Sequence, residues 1–380
     1  MTYSTISDHH AMVHDGLRNA AYTRAMQQVI GPDTTVMDLG AGLGVHGLTA
    51  AKLGAAQVHL VEPSPVLDVA RQVAQHNGLG NVVCHNCRAE ELQLDTPVDL
   101  IVSVFTGNFL LTEDLLPSLF HARDQFLAPG GQMIPDRGRM EVAPVCAEAY
   151  YRKHIDAWSD YPAHAASHGQ PELDYSPVRP FAANTLYYER RKRLEPTLLA
   201  APAALLELDF TTATSAACDC EVQVTIERDG TCHGWLGWFQ MRLGSEWLST
   251  SGDPEATHWS PVFMPLERPL QVSAGEQLGF ALKRPEFGEW TWTTRQGDNQ
   301  QRQSTFLSQP LSPERIRKAS ENYTPGLNSR GQAAKWLLGQ MAGNVSVSKL
   351  AAQAQARFPE VFDSPASARE LVRSLAERYT

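Results

Sequence analysis

Val36-Met37-Asp38-Leu39-Gly40-Ala41-Gly42-Leu43-Gly44 is the stretch on which the reading of this chain turns. A short apolar run ends in glycine, and the residues that follow, VHGLTAAKL (45–53), have helical spacing. Glycines at such a strand-to-helix junction permit positive φ and let the backbone approach a ligand closely. A dinucleotide fingerprint would space them GxGxxG, whereas this loop reads GxGxG.

Outward from that loop the alternation continues. QVHLVE (57–62) reads as a strand, PVLDVARQVAQHN (65–77) as a helix with proline at its start, and NVVCHNC (81–87) as a buried strand. VDLIVSVF (98–105) is a continuous apolar run, as a parallel strand covered on both faces should be. Glu113 to Leu127 is expected to be helical and to stop before Pro129-Gly130-Gly131. Strand and helix alternating in this way predict a parallel, doubly wound sheet with helices on both faces. Glu62 ends the second strand, where a carboxylate can accept both hydroxyls of a ribose, and Glu90 ends the third unit, within reach of an adenine amine. That arrangement serves nicotinamide cofactors and S-adenosylmethionine alike.

The pattern changes near Pro135. Residues 147–195, rich in Tyr, Pro, His and Ala, read as helices and loops. From about 201 to 310 short strands separated by Gly, Asp and Pro turns predict an all-β domain: ALLELDF, CEVQVTIE, GWLGWFQMRL, LQVSAGEQLGFAL and EWTWTT. Helical patterns return from Ser312, in PERIRKA, RGQAAKWLLGQM, VSKLAAQAQARF and SARELVRSLAERY.

Bulk properties narrow the function classes. The 380 residues carry a formal net charge of −10, with 43% hydrophobic residues. Such a balance repels nucleic acid unless a local basic patch offsets it, and none is visible. No apolar run is long enough to span a membrane, and the start shows no basic and apolar signal-peptide regions. Of the six cysteines, Cys84 and Cys87 have CxxC spacing, but no second ligand pair follows at zinc spacing, so no metal site is expected. Free thiols fit the reducing cytoplasm.

With these segments in place, the chain from its N-terminus to about residue 310 resembles the protein arginine methyltransferases. His9, Met12, Asp15, Arg18 and Tyr22 follow the spacing of that family's cofactor-covering helices, and Tyr3 falls at the last tyrosine of its YFxxY motif. VMDLGAGLG with Glu62 matches the glycine motif and ribose acid, AEEL with Glu90 the adenine loop, and Thr257-His258-Trp259 the THW loop.

The resemblance implies S-adenosylmethionine as cofactor, held by His9, Met12, Arg18, Asp38, Gly40, Gly42, Gly44, Glu62 and Glu90, with Arg18 on its methionine carboxylate. It implies His258 and Asp15 as a dyad near the reacting nitrogen, and Glu113 as the acidic contact to the acceptor. Tyr3, Val104, Thr106 and Trp259 would line the acceptor pocket. One departure matters. The family grips a guanidinium with two glutamates in the pattern SEWMGYxLxxE; here Val104 stands at the first glutamate, Thr106 at the methionine, and only Glu113 matches. Losing one charge-assisted partner to a buried cation costs roughly 1.5–3 kcal/mol.

The last segment, 323–380, is similar to the peptide chaperone of pyrroloquinoline quinone assembly, a winged-helix-like module that grips leader peptides by strand addition. Its charges are nearly balanced, with Arg330, Lys335, Lys349, Arg357, Arg369, Arg373 and Arg378 against Glu321, Glu360, Asp363, Glu370 and Glu377, which argues against nucleic acid.

The expected architecture is therefore α/β. Cofactor-covering helices (1–29) precede a Rossmann-like methyltransferase domain (30–140). A β-barrel domain (141–310) with an inserted dimerisation arm follows, then a linker and helical module (311–380). The expected protein is a homodimeric N-methyltransferase acting on a peptide or natural-product nitrogen. The alternatives are an enzyme for free arginine or small guanidines and amines, and a catalytically idle peptide-binding scaffold.

Overall fold

The structure is a computed structural model that describes residues 5–252 and 257–379. The chain divides into two compact units, one ending at Pro310 and the other starting at Leu311.

The first unit opens with α1 (Ile6–Val13) and α2 (Gly16–Gln27). Thr5 and Asp8 form a reciprocal capping box on α1, and Asp15 caps α2 by accepting from the Arg18 N–H at 2.9 Å. Five strands then make a wholly parallel sheet: β1 (Thr35–Leu39), β2 (Gln57–Val61), β3 (Val82–His85), β4 (Val98–Ser103) and β5 (Leu127–Ile134). The crossover helices are α3 (Val45–Lys52), α4 (Val66–His76) and α5 (Leu116–Phe126). The order β3-β2-β1-β4-β5 reverses direction at β1, which opens a crevice at the carboxyl ends of β1 and β4. Tyr22 on α2, fully buried, donates to the Ser103 carbonyl at 2.9 Å and so fastens α2 to the end of β4.

Two expectations within the parallel sheet differ from the structure. β3 is the edge strand, not a buried one: Val83 is exposed, and Cys84 and Cys87 are half-buried free thiols. Among the described residues no group of three or more metal-ligating side chains forms. The helix expected from Glu113 starts only at Leu116, because Asp114 takes a left-handed φ of 56° and ends any helical run through it. The helix does stop before Pro129-Gly130-Gly131, at Phe126, and those residues lie inside β5, where the pairing with β4 slips between Val98 and Leu100.

β6 (Arg137–Cys146) carries the chain out of the parallel sheet and pairs antiparallel with β11 (Gly230–Leu243). Between them lie α6 (Glu148–His154), α7 (Tyr161–Ser167), α8 (Arg179–Ala183), β7 (Tyr187–Tyr188), α9 (Arg191–Leu194), β8 (Thr197–Leu198), β9 (Ala203–Asp209) and β10 (Cys218–Thr225). β12 (Glu246–Ser249), β13 (Val262–Val272), β14 (Gln277–Arg284), β15 (Thr291–Gln296), β16 (Asn299–Ser304) and α10 (Thr305–Ser308) complete the unit. The expected single strand through LQVSAGEQLGFAL is two strands, β13 and β14, joined by a turn at 273–276.

The barrel-like part is built from two antiparallel sheets, β10-β14-β15-β16 and β7-β13-β11-β6-β8, with β9 and β12 on the second. Buried indoles join the sheets. Trp235 on β11 donates to Thr294 Oγ1 at 2.9 Å, and Trp292 on β15 donates to the Pro265 carbonyl at 3.0 Å.

The second unit contains α11 (Pro313–Lys318), α12 (Ser329–Met341), α13 (Val347–Arg357) and α14 (Pro365–Tyr379). Ala333 and Leu337, Leu350 and Ala354, and Ala368, Leu371 and Leu375 recur at helical spacing and pack around Phe362. Its described residues hold no strand, so the winged-helix-like expectation reduces to a helical module: a wing is a β-hairpin, and no hairpin forms here. Among the described residues no helix is long and apolar enough to cross a membrane.

Candidate active site

The crevice at β1 and β4 holds a cavity of about 730 Å³. Residues following β1, β2, β3 and β4 line it, together with α1, Arg18 on α2, and the His258-Trp259 loop.

At one end the glycine loop brings its backbone to the wall. Gly40 and Gly42 have φ of 71° and 53°. A side chain at Gly40 would collide with the Phe105 ring, and one at Gly42 would come within 2.7 Å of the His9 ring. Glu62 accepts from the Gly42 N–H at 3.0 Å and the Ser64 N–H at 2.9 Å, so its carboxylate is fixed before any ligand arrives. Asp38 is buried and accepts from the Gly47 N–H at 2.7 Å. Burial, reinforced by nearby Glu62, pushes its carboxyl up to about 7. Glu90 sits at the rim and accepts from Ser118 Oγ at 2.5 Å. Burial would raise its carboxyl, but the bond from Ser118 and its backbone contact hold it below the ordinary value.

Arg18 is 3% exposed, yet it carries a full charge. Its Nη2 donates to the Met12 carbonyl at 2.7 Å and its Nε to Asn19 at 3.0 Å. Burial pulls its guanidinium below its usual value, while Tyr22, Asp15 and Asp38 act in the opposite sense.

At the other end side chains from distant segments meet. Asp15 Oδ2 accepts from the His258 backbone N–H at 2.8 Å and lies 2.7 Å from His258 Nδ1. Burial would raise the Asp15 carboxyl, but the bonds from His258 and Arg18 outweigh it and hold the group low. With Asp15 as the acceptor, a ring proton of His258 sits on Nδ1. Trp259 packs its ring 4.2 Å from that of His258. Val104, Thr106 and Glu113 also line the cavity. Thr106 is buried and donates to Met241 Sδ at 3.2 Å, so its hydroxyl is turned away from solvent. Asn108 accepts from the Ser260 N–H at 2.9 Å and ties the loop that carries Val104 and Glu113 to the His258 loop.

The structure thus brings His9, Met12, Arg18, Asp38, Gly40, Gly42, Glu62, Glu90, Val104, Thr106, Glu113, His258 and Trp259 to one cavity. Asp15 stands directly behind His258. Gly44, at φ 79°, caps α3 and packs on Leu48 rather than lining the space. Tyr3 lies outside the described residues.

Sequence reasoning missed several lining residues: His46, Phe105, Asp114 and Phe287. Glu113 is therefore not the only carboxylate here, but Asp114 is committed elsewhere. It accepts from Arg284 Nη2 at 2.7 Å and from the Phe287 N–H at 3.0 Å. Arg284 is 3% exposed and stacks over Trp290 at 4.9 Å. The only hint in the sequence was an acid beside Glu113 and an arginine ending an apolar strand.

Comparison with known proteins gives the following. Residues 36–131 match the methyltransferase domain family, and residues 136–286 match the arginine methyltransferase oligomerization subdomain. The chain is 31% identical over 251 residues to protein arginine N-methyltransferase 2 of Dictyostelium discoideum, covering 63% of this chain and 47% of that protein. It therefore spans about half the length of that relative. It is 30% identical over 282 residues to protein arginine N-methyltransferase 6 of Xenopus laevis, covering 71% of this chain and 81% of that protein. Among solved structures, the Trypanosoma brucei PRMT1 enzyme-prozyme heterotetrameric complex with AdoHcy superposes with a TM-score of 0.72 at 25% identity, covering 80% of this chain and 99% of that one.

Proposed function

The chain belongs to the protein arginine methyltransferase family, and from that premise we propose that it is an S-adenosylmethionine-dependent N-methyltransferase. Its acceptor would be a guanidinium, or another side-chain nitrogen, of a peptide or natural-product precursor. The observation that carries the reading is a single cavity with a glycine loop, Glu62 and Arg18 at one end and Glu113, His258 and Asp15 at the other.

The residues fit the cofactor on chemical grounds. Two backbone N–H groups orient the Glu62 carboxylate and leave it lone pairs for a ribose diol. Glycines at 40 and 42 leave the backbone open to close approach. Arg18 brings a buried positive charge suited to a carboxylate. The cofactor, when bound, supplies a methyl group already activated on a sulfonium.

The chain's own residues do the rest. Glu113 accepts from the acceptor nitrogen and balances the positive charge there. Val104 removes the second grip, so one edge of a planar guanidinium meets an apolar wall. His258 takes the released proton on Nε2, and Asp15 holds the imidazole through Nδ1 and stabilises its charged form. Positioning of acceptor against methyl supplies most of the acceleration.

We assign the arm, α6 to α9, to contact with a second copy of the chain. Its exposed Trp158, Leu173, Tyr175 and Phe181 favour such a contact. We assign the helical module to holding a leader peptide, through its helices and not by the strand addition that the resemblance implied.

The test is a mass screen for methylated products across arginine-containing peptides, free arginine and simple amines, using wild type, Asp15→Asn, His258→Ala and the double variant. Methyl transfer by wild type is expected, with each single variant losing about as much rate as the double, on the order of a hundredfold. Additive losses would dissolve the dyad. Cofactor binding without any methyl transfer would favour the idle scaffold.

A further inference from the structure

At the glycine-loop end one polar side chain has no counterpart among the residues that the resemblance assigns to the cofactor. His46, on the first turn of α3, is 4% exposed and lines the cavity. Its ring stacks on Tyr22 with centroids 4.3 Å apart and planes 25° from parallel. Tyr22 is itself fixed by its bond to the Ser103 carbonyl, so the imidazole is held in one orientation. Nε2 is fully buried and has no hydrogen-bond partner. A buried polar atom left so is costly and calls for an explanation.

The charge state follows from the surroundings. Burial and the positive charge of Arg18 hold the imidazole well below its ordinary value, and the Asp15 carboxylate only partly opposes them. His46 is therefore neutral at physiological pH, with one N–H and one lone pair. An orphaned N–H costs more than an orphaned lone pair, so the proton belongs on the nitrogen that has somewhere to donate. With Nε2 sealed in the interior, that nitrogen is Nδ1.

We propose that His46 is a cofactor-binding residue whose Nδ1–H donates to the α-carboxylate of the cofactor's amino-acid end, beside Arg18. The inference rests on the S-adenosylmethionine reading. Arg18 sits one helical turn before Tyr22 on α2, so guanidinium and imidazole reach the same corner of the cavity from α2 and α3. A cation alone attracts any anion; a fixed neutral donor beside it also sets the direction in which the carboxylate must lie.

The experiment uses two ligands that differ at that end. S-adenosylhomocysteine carries the carboxylate, and 5′-methylthioadenosine lacks the whole amino-acid end. Calorimetric affinities of both are measured for wild type, His46→Leu and His46→Asn, each checked for folding by thermal melting. His46→Leu should weaken S-adenosylhomocysteine on the order of tenfold and leave 5′-methylthioadenosine unchanged. His46→Asn, whose amide can place a donor near Nδ1, should recover part of the loss. Equal weakening of both ligands by the folded variants would show a merely structural histidine and overturn the proposal, as would unchanged affinity for both. Should His46→Leu not fold, His46→Asn decides by the same ratio: a loss confined to S-adenosylhomocysteine supports the proposal, and no selective loss overturns it. Binding of neither ligand by wild type would instead overturn the methyltransferase reading itself.

Discussion

The two ends of the cavity are built by different means. At the glycine-loop end, carboxylates are seated on backbone N–H groups a short way along the chain: Asp38 on Gly47, Glu62 on Gly42 and Ser64. At the Glu113 end, the fixing contacts join residues far apart. Asn108 and Ser260 are separated by 152 positions, Asp114 and Arg284 by 170, and Asp15 and His258 by 243. The carboxylates of the first end are set by one strand-loop-helix unit and its neighbour, with Arg18 added from α2. The second exists only once the parallel sheet, the N-terminal helices and the barrel-like part have come together. An invariant ligand can be served by a locally specified frame, whereas an acceptor can be changed by altering loops that converge from several elements.

The sharpest way to break this contrast is to alter one end and look for an effect at the other. Glu113→Gln keeps shape and removes charge. Methyl transfer should fall on the order of a hundredfold or more, while calorimetric affinity for S-adenosylhomocysteine stays within error. Full activity of that variant on its best acceptor would sink the assignment of Glu113. At the opposite end, Glu62→Gln should weaken S-adenosylhomocysteine by about tenfold, since a neutral amide replaces charge-assisted acceptance, with turnover at saturating cofactor retained. Unchanged affinity would remove Glu62 from the site.

The smallest effect sharpens the contrast through pH. The Asp38 carboxyl lies near 7 when folded against 3.8 for the free group. The folded state therefore binds the proton more tightly, and this contribution to stability is present below about pH 4 and is lost as pH rises through 7. Asp15 is held below 3.8, so its contribution is present above about pH 4 and is lost as pH falls through its lowered value. Asp38→Asn keeps the acceptor for Gly47 and removes the titration. Ligand-free Asp38→Asn should match wild type near pH 4 and exceed it at pH 8, by a few kcal/mol at most. Identical pH–stability curves would show that the Asp38 proton is not retained.

What the sequence made legible follows the same division. The glycine loop and Glu62 lie within one strand–helix–strand unit, so residue spacing alone put them together. The alternation of strand and helix gave the parallel sheet for the same reason. Asp114 was unreadable because its partner, Arg284, lies on β14 of the barrel-like part, 170 positions away, and its left-handed φ has no mark in the residues beside it. The expected helix start at Glu113 failed with it. The apolar run at Val82-Val83-Cys84 looked buried, but strand order decides what covers a strand, and β3 lies at the edge. His46 was invisible because one histidine in an apolar helix is an ordinary sight; only its orphaned nitrogen distinguishes it.

One feature of α2 bears on how this chain can vary. Asp15 at the N-cap and Arg18 and Tyr22 within the helix stand three and four residues apart along one side, and each has a different client: the His258 loop, the cavity, and the end of β4. Substitution at the exposed positions between them leaves their spacing intact. Inserting or deleting one residue between Asp15 and Tyr22 would rotate one end of the segment about 100° against the other, and no side-chain adjustment spans that angle. The segment should therefore tolerate many replacements along its outer face but no change of length, and a deep scan of single-residue insertions would show it as a gap bounded by residues 15 and 22.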